Sequence, residues 1–207
     1  MTILLIGGSP ATPSSSSRLL HHVGDALALR GHRITKLQVR DLPAEALLHA
    51  NCDHPDIKRA LAAVAAADAV VIATPVYKAS FSGILKTFLD LLPQDGLAGK
   101  LVLPLATGGS QSHMLALDYA LRPVLHALEA RHVLTSIYAT SQQLPWQEDS
   151  GLTPDVTIAW RVAAGVEHLS DSLYALHGRP ELHVAGVEVP PPHTLREQAY
   201  VASSRAA

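Results

Sequence analysis

The chain has 207 residues, 48% hydrophobic and 16% charged, with a formal net charge of −2. That length suits one domain with a real core, and the near-neutral balance points to neither nucleic acid nor an anionic membrane as a partner. The single cysteine, Cys52, cannot close an internal disulfide, so a reducing, cytoplasmic setting is expected.

In chain order, short apolar runs alternate with longer helical stretches. Thr2–Ile6 is the first run; it is too short, and lacks the basic start, for a secretory signal. Gly7 to Ser17 follow, then a helix over Ser16–Arg30 with Gly31 as its C-cap. Arg33–Val39 alternates in polarity and reads as a sheet edge. Asp56–Ala67 is an alanine-rich helix. Ala69–Ala73 is a continuous β-branched run, as buried parallel strands are. Ser82–Leu92 is helical and stops at Pro93. Leu101–Ala106 and Val133–Tyr138 are two more strands, separated by a long apolar helix over His113–Ala130. Asp155–His177 is the last helix.

Five strands separated by helices predict an α/β fold, a flavodoxin-like five-stranded parallel sheet of order 2-1-3-4-5 with helices on both faces. One domain is expected over 1–177, followed by an extended tail over 178–207 that contains Val189-Pro190-Pro191-Pro192. No apolar run is long enough to cross a bilayer. The twelve histidines form no His-Glu-x-x-His and no pair spaced for one helical face, and there is no Cys-x-x-Cys, so no metal is expected.

In such a sheet ligands sit outside the carboxyl ends of the strands, near the point where strand order reverses. Three loops there are distinctive. After the first strand, Gly7 and Gly8 allow a tight exit, and Ser9 and Ser14 to Ser17 bring hydroxyls to the start of a helix, the make-up of a phosphate site. Neither a Walker lysine nor a Gly-x-Gly-x-x-Gly is present, and one of the serines could simply cap the helix. After the third strand comes Thr74-Pro75-Val76-Tyr77-Lys78-Ala79-Ser80-Phe81. Pro75 is expected to turn the chain away from the sheet and leave Tyr77 and Phe81 on a loop, where aromatics serve planar ligands; the bland alternative is packing beneath the loop. After the fourth, Thr107-Gly108-Gly109 lets the backbone approach a flat ligand closely.

The stretches GGSP…SSSS, ATPVYKASFSGILKTFLDLLP, GKLVLPLATGGS and ALDYALRPVL resemble the NADPH-dependent FMN reductases, in particular the reductase components of two-component alkanesulfonate monooxygenase systems. The resemblance implies reduction of FMN by NADPH or NADH, delivery of the free reduced flavin to a flavin-dependent monooxygenase partner in sulfonate desulfurisation, and a homotetramer. It implies FMN contacts from Ser9, Ser15, Ser16 and Ser17 at the phosphate, from Pro75, Val76, Tyr77 and Lys78 along the isoalloxazine, and from Thr107, Gly108 and Gly109 at the far edge of the ring. No residue is assigned as a catalytic acid or base. Relatives carry an arginine after Gly-Ser-Pro where this chain has Ala11, so amides, hydroxyls and Arg18 are left to hold the phosphate, and the choice between NADPH and NADH stays open.

Pro123 has no N–H for the carbonyl of Tyr119, so a π-type widening is expected there. The resemblance links a tyrosine at such a site to flavin exchange and to a subunit interface. A reductase of quinones or azo compounds that keeps its FMN, or a flavodoxin-like electron carrier, would share the same fold.

Overall fold

The computed structural model describes residues 1–178. All but Gly178 of the expected tail, 178–207, lies outside the described residues. The chain begins with β1 (Thr2–Gly7), α1 (Ser15–Leu29) and β2 (Arg33–Gln38). A 3₁₀ turn, Val39–Asp41, leads to α2 (Ala44–Leu48) and α3 (Pro55–Ala65). β3 (Ala69–Tyr77), β4 (Ser80–Phe81), α4 (Gly83–Leu89) and β5 (Leu101–Gly108) follow. The expected helix over His113–Ala130 is instead a π segment, Leu117–Leu121, running into α5 (Arg122–Ala127). The last elements are β6 (His132–Val133), β7 (Ile137–Thr140), the small hairpin β8 (Trp146–Gln147) and β9 (Gly151–Leu152), and α6 (Val156–His177).

The sheet runs β2-β1-β3-β5-β6, with β7 also paired to β5, which is the flavodoxin-like order with its fifth rank in two pieces. It has seven strands rather than the expected five, because β4 folds back on β3 and the fifth rank is split. The split has a local cause. β6 pairs with Leu101 and Val102, and β7 with Leu105 to Gly108, leaving Leu103 and Pro104 without partners on that side. The carbonyl of Val102 accepts from Leu134 N at 2.8 Å, so Val102, Pro104 and Ala106 address the fifth rank. Pro104 brings no N–H there, and the strand expected to be continuous over Val133–Tyr138 detours past it at 134–136.

Each buried strand presents alternate residues to two cores, which explains its unbroken apolar run. Ile3, Leu5, Val71, Leu103 and Leu105 meet α1 and α6 through Leu20, Val23, Val162 and Leu169. Leu4, Ile6, Val70, Ile72 and Val102 meet α3, α4 and the π segment through Ile57, Phe88 and Leu121. β1, β3 and β5 are parallel neighbours, so the loops at their carboxyl ends lie side by side. Among the described residues, no helix is long and apolar enough to cross a membrane.

Candidate functional site

The loop after β1 is tied to its neighbours. Gly8 N donates to the Ala73 carbonyl at 2.8 Å, and the Ser82 hydroxyl donates to the Gly8 carbonyl. A Cβ at Gly8 would stand 2.8 Å from Leu85 Cβ and 3.2 Å from the Ala73 oxygen, so only glycine lets β1 leave the sheet this close to β3. Ser9 Oγ accepts from Ala11 N at 3.2 Å. Ser14 is the N-cap of α1, accepting from Ser17 N at 3.4 Å. The amides of Ser15 and Ser16, in the first turn, have no acceptor within the helix and sit at its positive end.

The second loop is a hairpin. β3 runs on through Pro75, which pairs with Thr107, instead of turning away. The proline is tolerated because Ala73 and Pro75 address the β1 side, where the pairing ends at Gly7↔Ala73. Val76 then pairs with Phe81 and Tyr77 with Ser80, and Lys78 and Ala79 form the two-residue turn with φ of 50° and 62°. Two positive φ values in a two-residue hairpin define a type I′ turn, strained for residues other than glycine, asparagine or aspartate. Tyr77 is half-exposed, whereas Phe81 packs against the α3–α4 core, so only one of the two aromatics faces outward.

The third loop is held from beneath. The Tyr138 hydroxyl, on β7, donates to the Ser110 carbonyl at 2.6 Å, and burial pushes this phenol's pKa up. A Cβ at Gly108 would lie 2.2 Å from that hydroxyl oxygen, while one at Gly109 would meet nothing within 4 Å. Gly108 is therefore a packing requirement, and Gly109 borders open space.

These loops enclose a cleft of about 240 Å³. Of the expected residues, Ser9, Ser15, Pro75, Val76, Tyr77, Thr107, Gly108 and Gly109 line it, together with Ala11, Pro13, Ser14 and, from the turn after β7, Ser141. Ser16 and Ser17 are buried within the first turn of α1 and do not line the cleft, Lys78 projects from the hairpin tip, and Tyr119 stands on the π segment. Arg18 does not reach the loop's oxygens; its guanidinium lies 4.0 Å over the ring of Trp146. The cation at the loop is Arg40, whose Nη1 donates to the Ala11 carbonyl at 3.0 Å. No local sequence signal points to it, because it is 29 residues from Ala11 and is brought there by the parallel register Gly7↔Gln38. Two larger troughs of about 430 Å³ each lie along α6 at the β6–β7 rim, where the sheet's ligand-bearing loops do not converge.

A helix start with free amides and serines, an open glycine edge and an aromatic hairpin, all at the reversal of strand order, are the make-up of a flavodoxin-like mononucleotide-binding protein. The family model described as NADPH-dependent FMN reductase matches residues 1–144. An FMN reductase (NADPH) of Pseudomonas putida is 50% identical over 177 residues, covering 86% of this chain and 87% of its own length. The FMN reductase (NADPH) of Escherichia coli K12 is 39% identical over 201 residues, covering 97% and 100%. The apo structure of the NADH:FMN oxidoreductase EMOB superposes with a TM-score of 0.76 at 36% identity, covering 93% of this chain and 98% of that one. The chain belongs to the NADPH-dependent FMN reductase family. It is an oxidoreductase that acts on FMN with a reduced nicotinamide cofactor.

The residues fit that flavin. The amides at the start of α1 and the Ser15 hydroxyl suit its phosphate, and the open edge at Gly109 admits a flat ring. Hydride transfer is chemistry of the two cofactors; what the chain contributes is binding and orientation.

Proposed function

We propose that the protein takes FMN as an exchangeable substrate, reduces it with NADPH or NADH, and releases it to a flavin-dependent monooxygenase. Sulfonate desulfurisation is the setting, as the sequence resemblance implies, in a reducing cytoplasm that suits the single cysteine. In this reading Ser9 and Ser15 hold the phosphate directly, while Ser16 and Ser17 support the turn that presents it. Pro75 to Tyr77 line the isoalloxazine, Thr107 to Gly109 meet its far edge, and Lys78 reaches the ligand from the hairpin tip.

The observation that carries the reading is the π segment. The Arg122 amide bonds the carbonyl of Leu117, five residues back, and the next residue, Pro123, has no N–H. The segment packs against β4, whose hairpin partner carries Tyr77 to the cleft. It presents Tyr119, 80% exposed, with Met114 and Leu115 half-exposed beside it. A widened turn with an exposed aromatic next to a flavin cleft suits a gate that a homotetramer partner completes.

The test is Tyr119→Ala. The variant is expected to purify with bound FMN and to lose NAD(P)H oxidation supported by added free FMN. A variant that purifies flavin-free and turns over normally ends the proposal for Tyr119.

A further inference from the structure

Arg40 stands behind the β1–α1 loop, on the 3₁₀ turn that follows β2. Its Nη1 donates to the Ala11 carbonyl at 3.0 Å and lies 3.5 Å from both the Ser9 carbonyl and Ser17 Oγ. Its Nε is 3.6 Å from Asp41, a carboxylate that is 71% exposed, whereas the Arg40 side chain is only 23% exposed. The guanidinium is thus spent chiefly on the oxygens of one loop, and Arg40 itself does not line the cleft.

The geometry of the peptide unit gives this contact a consequence. In a trans peptide the carbonyl of one residue and the N–H of the next point in opposite directions. With its oxygen on Arg40, the Ala11–Thr12 peptide turns the Thr12 N–H to the other side, where Ala11 and Pro13 line the cleft. The Ser9–Pro10 peptide gives its oxygen to the same guanidinium and has no N–H to orient. The arginine takes the Ser9 and Ala11 carbonyls, the Ala11 N–H is held by Ser9 Oγ, and the Thr12 N–H is left to a ligand. Its guanidinium is positively charged and sits in a place that solvent screens only in part. Its field reaches His21, whose pKa is lowered first by burial, then by Lys36, and in smaller part by Arg40 against the opposing Asp25.

We propose that Arg40 is the positioning residue of the phosphate subsite. From behind the loop it fixes Ser9 to Thr12 so that the Thr12 N–H faces the FMN phosphate, and it supplies a positive charge to a loop that has no charged residue from Gly7 to Ser17. This rests on the reading that the loop after β1 takes that phosphate.

The experiment compares FMN with riboflavin, which lacks the phosphate, as acceptors for wild type and Arg40→Met, with thermal unfolding of each protein followed alongside. Wild type should prefer FMN, and rising salt should narrow that preference. In Arg40→Met the KM for FMN should rise about tenfold, as expected for losing a charge-assisted interaction. Its KM for riboflavin and its kcat at saturating flavin should stay unchanged. Should the methionine variant not fold, Arg40→Gln, which keeps a donor but no charge, is read in the same way. A folded variant that keeps the full FMN preference, or one in which both KM values rise in parallel, overturns the role of Arg40 while leaving the phosphate loop intact. Equal use of both flavins by wild type overturns the phosphate reading, and the role of Arg40 falls with it.

Discussion

Gly108→Ala places a methyl group against a hydroxyl that has nowhere to go. The new Cβ would lie 2.2 Å from the Tyr138 hydroxyl oxygen, 3.2 Å from Cζ and 3.6 Å from Cε2. Neither partner can slip along the sheet, because Gly108 is paired with Thr140 and Tyr138 with Ala106 in the same ladder. To reach ordinary contact the pair must open by about 1 Å, and such overpacking costs about 1–3 kcal/mol. The displacement also strains the Tyr138–Ser110 hydrogen bond, which contributes about 1 kcal/mol. The single variant is therefore expected to lose about 2–3 kcal/mol in urea unfolding and to bind FMN more weakly, since the third loop shifts. Tyr138→Phe alone should cost about 1 kcal/mol. In the double variant the clashing oxygen is gone, so the loss should fall about 2 kcal/mol short of the sum. If the two losses add to within about 0.5 kcal/mol, Gly108 is not there to make room for Tyr138, and the account of the third loop is wrong.

At the hairpin tip, Ala79→Gly should relieve about 1 kcal/mol of left-handed strain at φ 62°. That raises Tm by about 2–4 °C in differential scanning calorimetry; an unchanged or lower Tm would show that the turn holds no such strain. His32 is buried, hydrogen-bonded through Nε2 to Ser170 Oγ at 2.7 Å and stacked on Tyr174 at 5.1 Å between centroids. Burial, then the N-terminal ammonium and Arg30, hold its pKa below 6.5. The unfolded chain thus binds the proton more readily than the folded one. The stability His32 contributes is complete above pH 6.5 and is lost as pH falls from there through its folded-state pKa. His21 shifts in the same direction. Urea unfolding between about pH 5 and 8 should therefore show a decline toward acid that is shallower, though not absent, in His32→Gln. An identical slope in both proteins would remove His32 from the account.

Much of this was legible in the sequence because buried parallel strands and ligand loops carry local signatures. The runs at Thr2–Ile6, Ala69–Ala73 and Leu101–Ala106 are strands, and the serines and glycines that follow them line a common cleft. Pro123 forecast the widening at Tyr119 because a missing N–H is a property of one residue. What escaped depends on register between distant segments. Pro104 breaks the fifth rank only because Leu134 bonds Val102, and no local pattern at 133–138 reveals that. Arg40 reaches the loop after β1 only because β2 lies beside β1. The β3–β4 hairpin was hidden because its turn is Lys78-Ala79, with none of the residues that normally announce positive φ. Ser16 and Ser17 are buried and do not line the cleft, and composition does not say which side of a first turn faces inward.

The interruption opposite Pro104 also bears on how the protein behaves when crowded. The β6–β7 rim offers no stretch longer than the four residues of β7, too short to template a stable ladder with another molecule. At the opposite rim β2 runs for six residues, but it carries Arg33 and Lys36 along its edge. A sheet whose inner strands are almost wholly apolar thus ends in one broken border and one cationic border. Replacing Pro104 with a β-branched residue could complete the fifth rank, and in doing so would give concentrated protein a longer seam along which to aggregate.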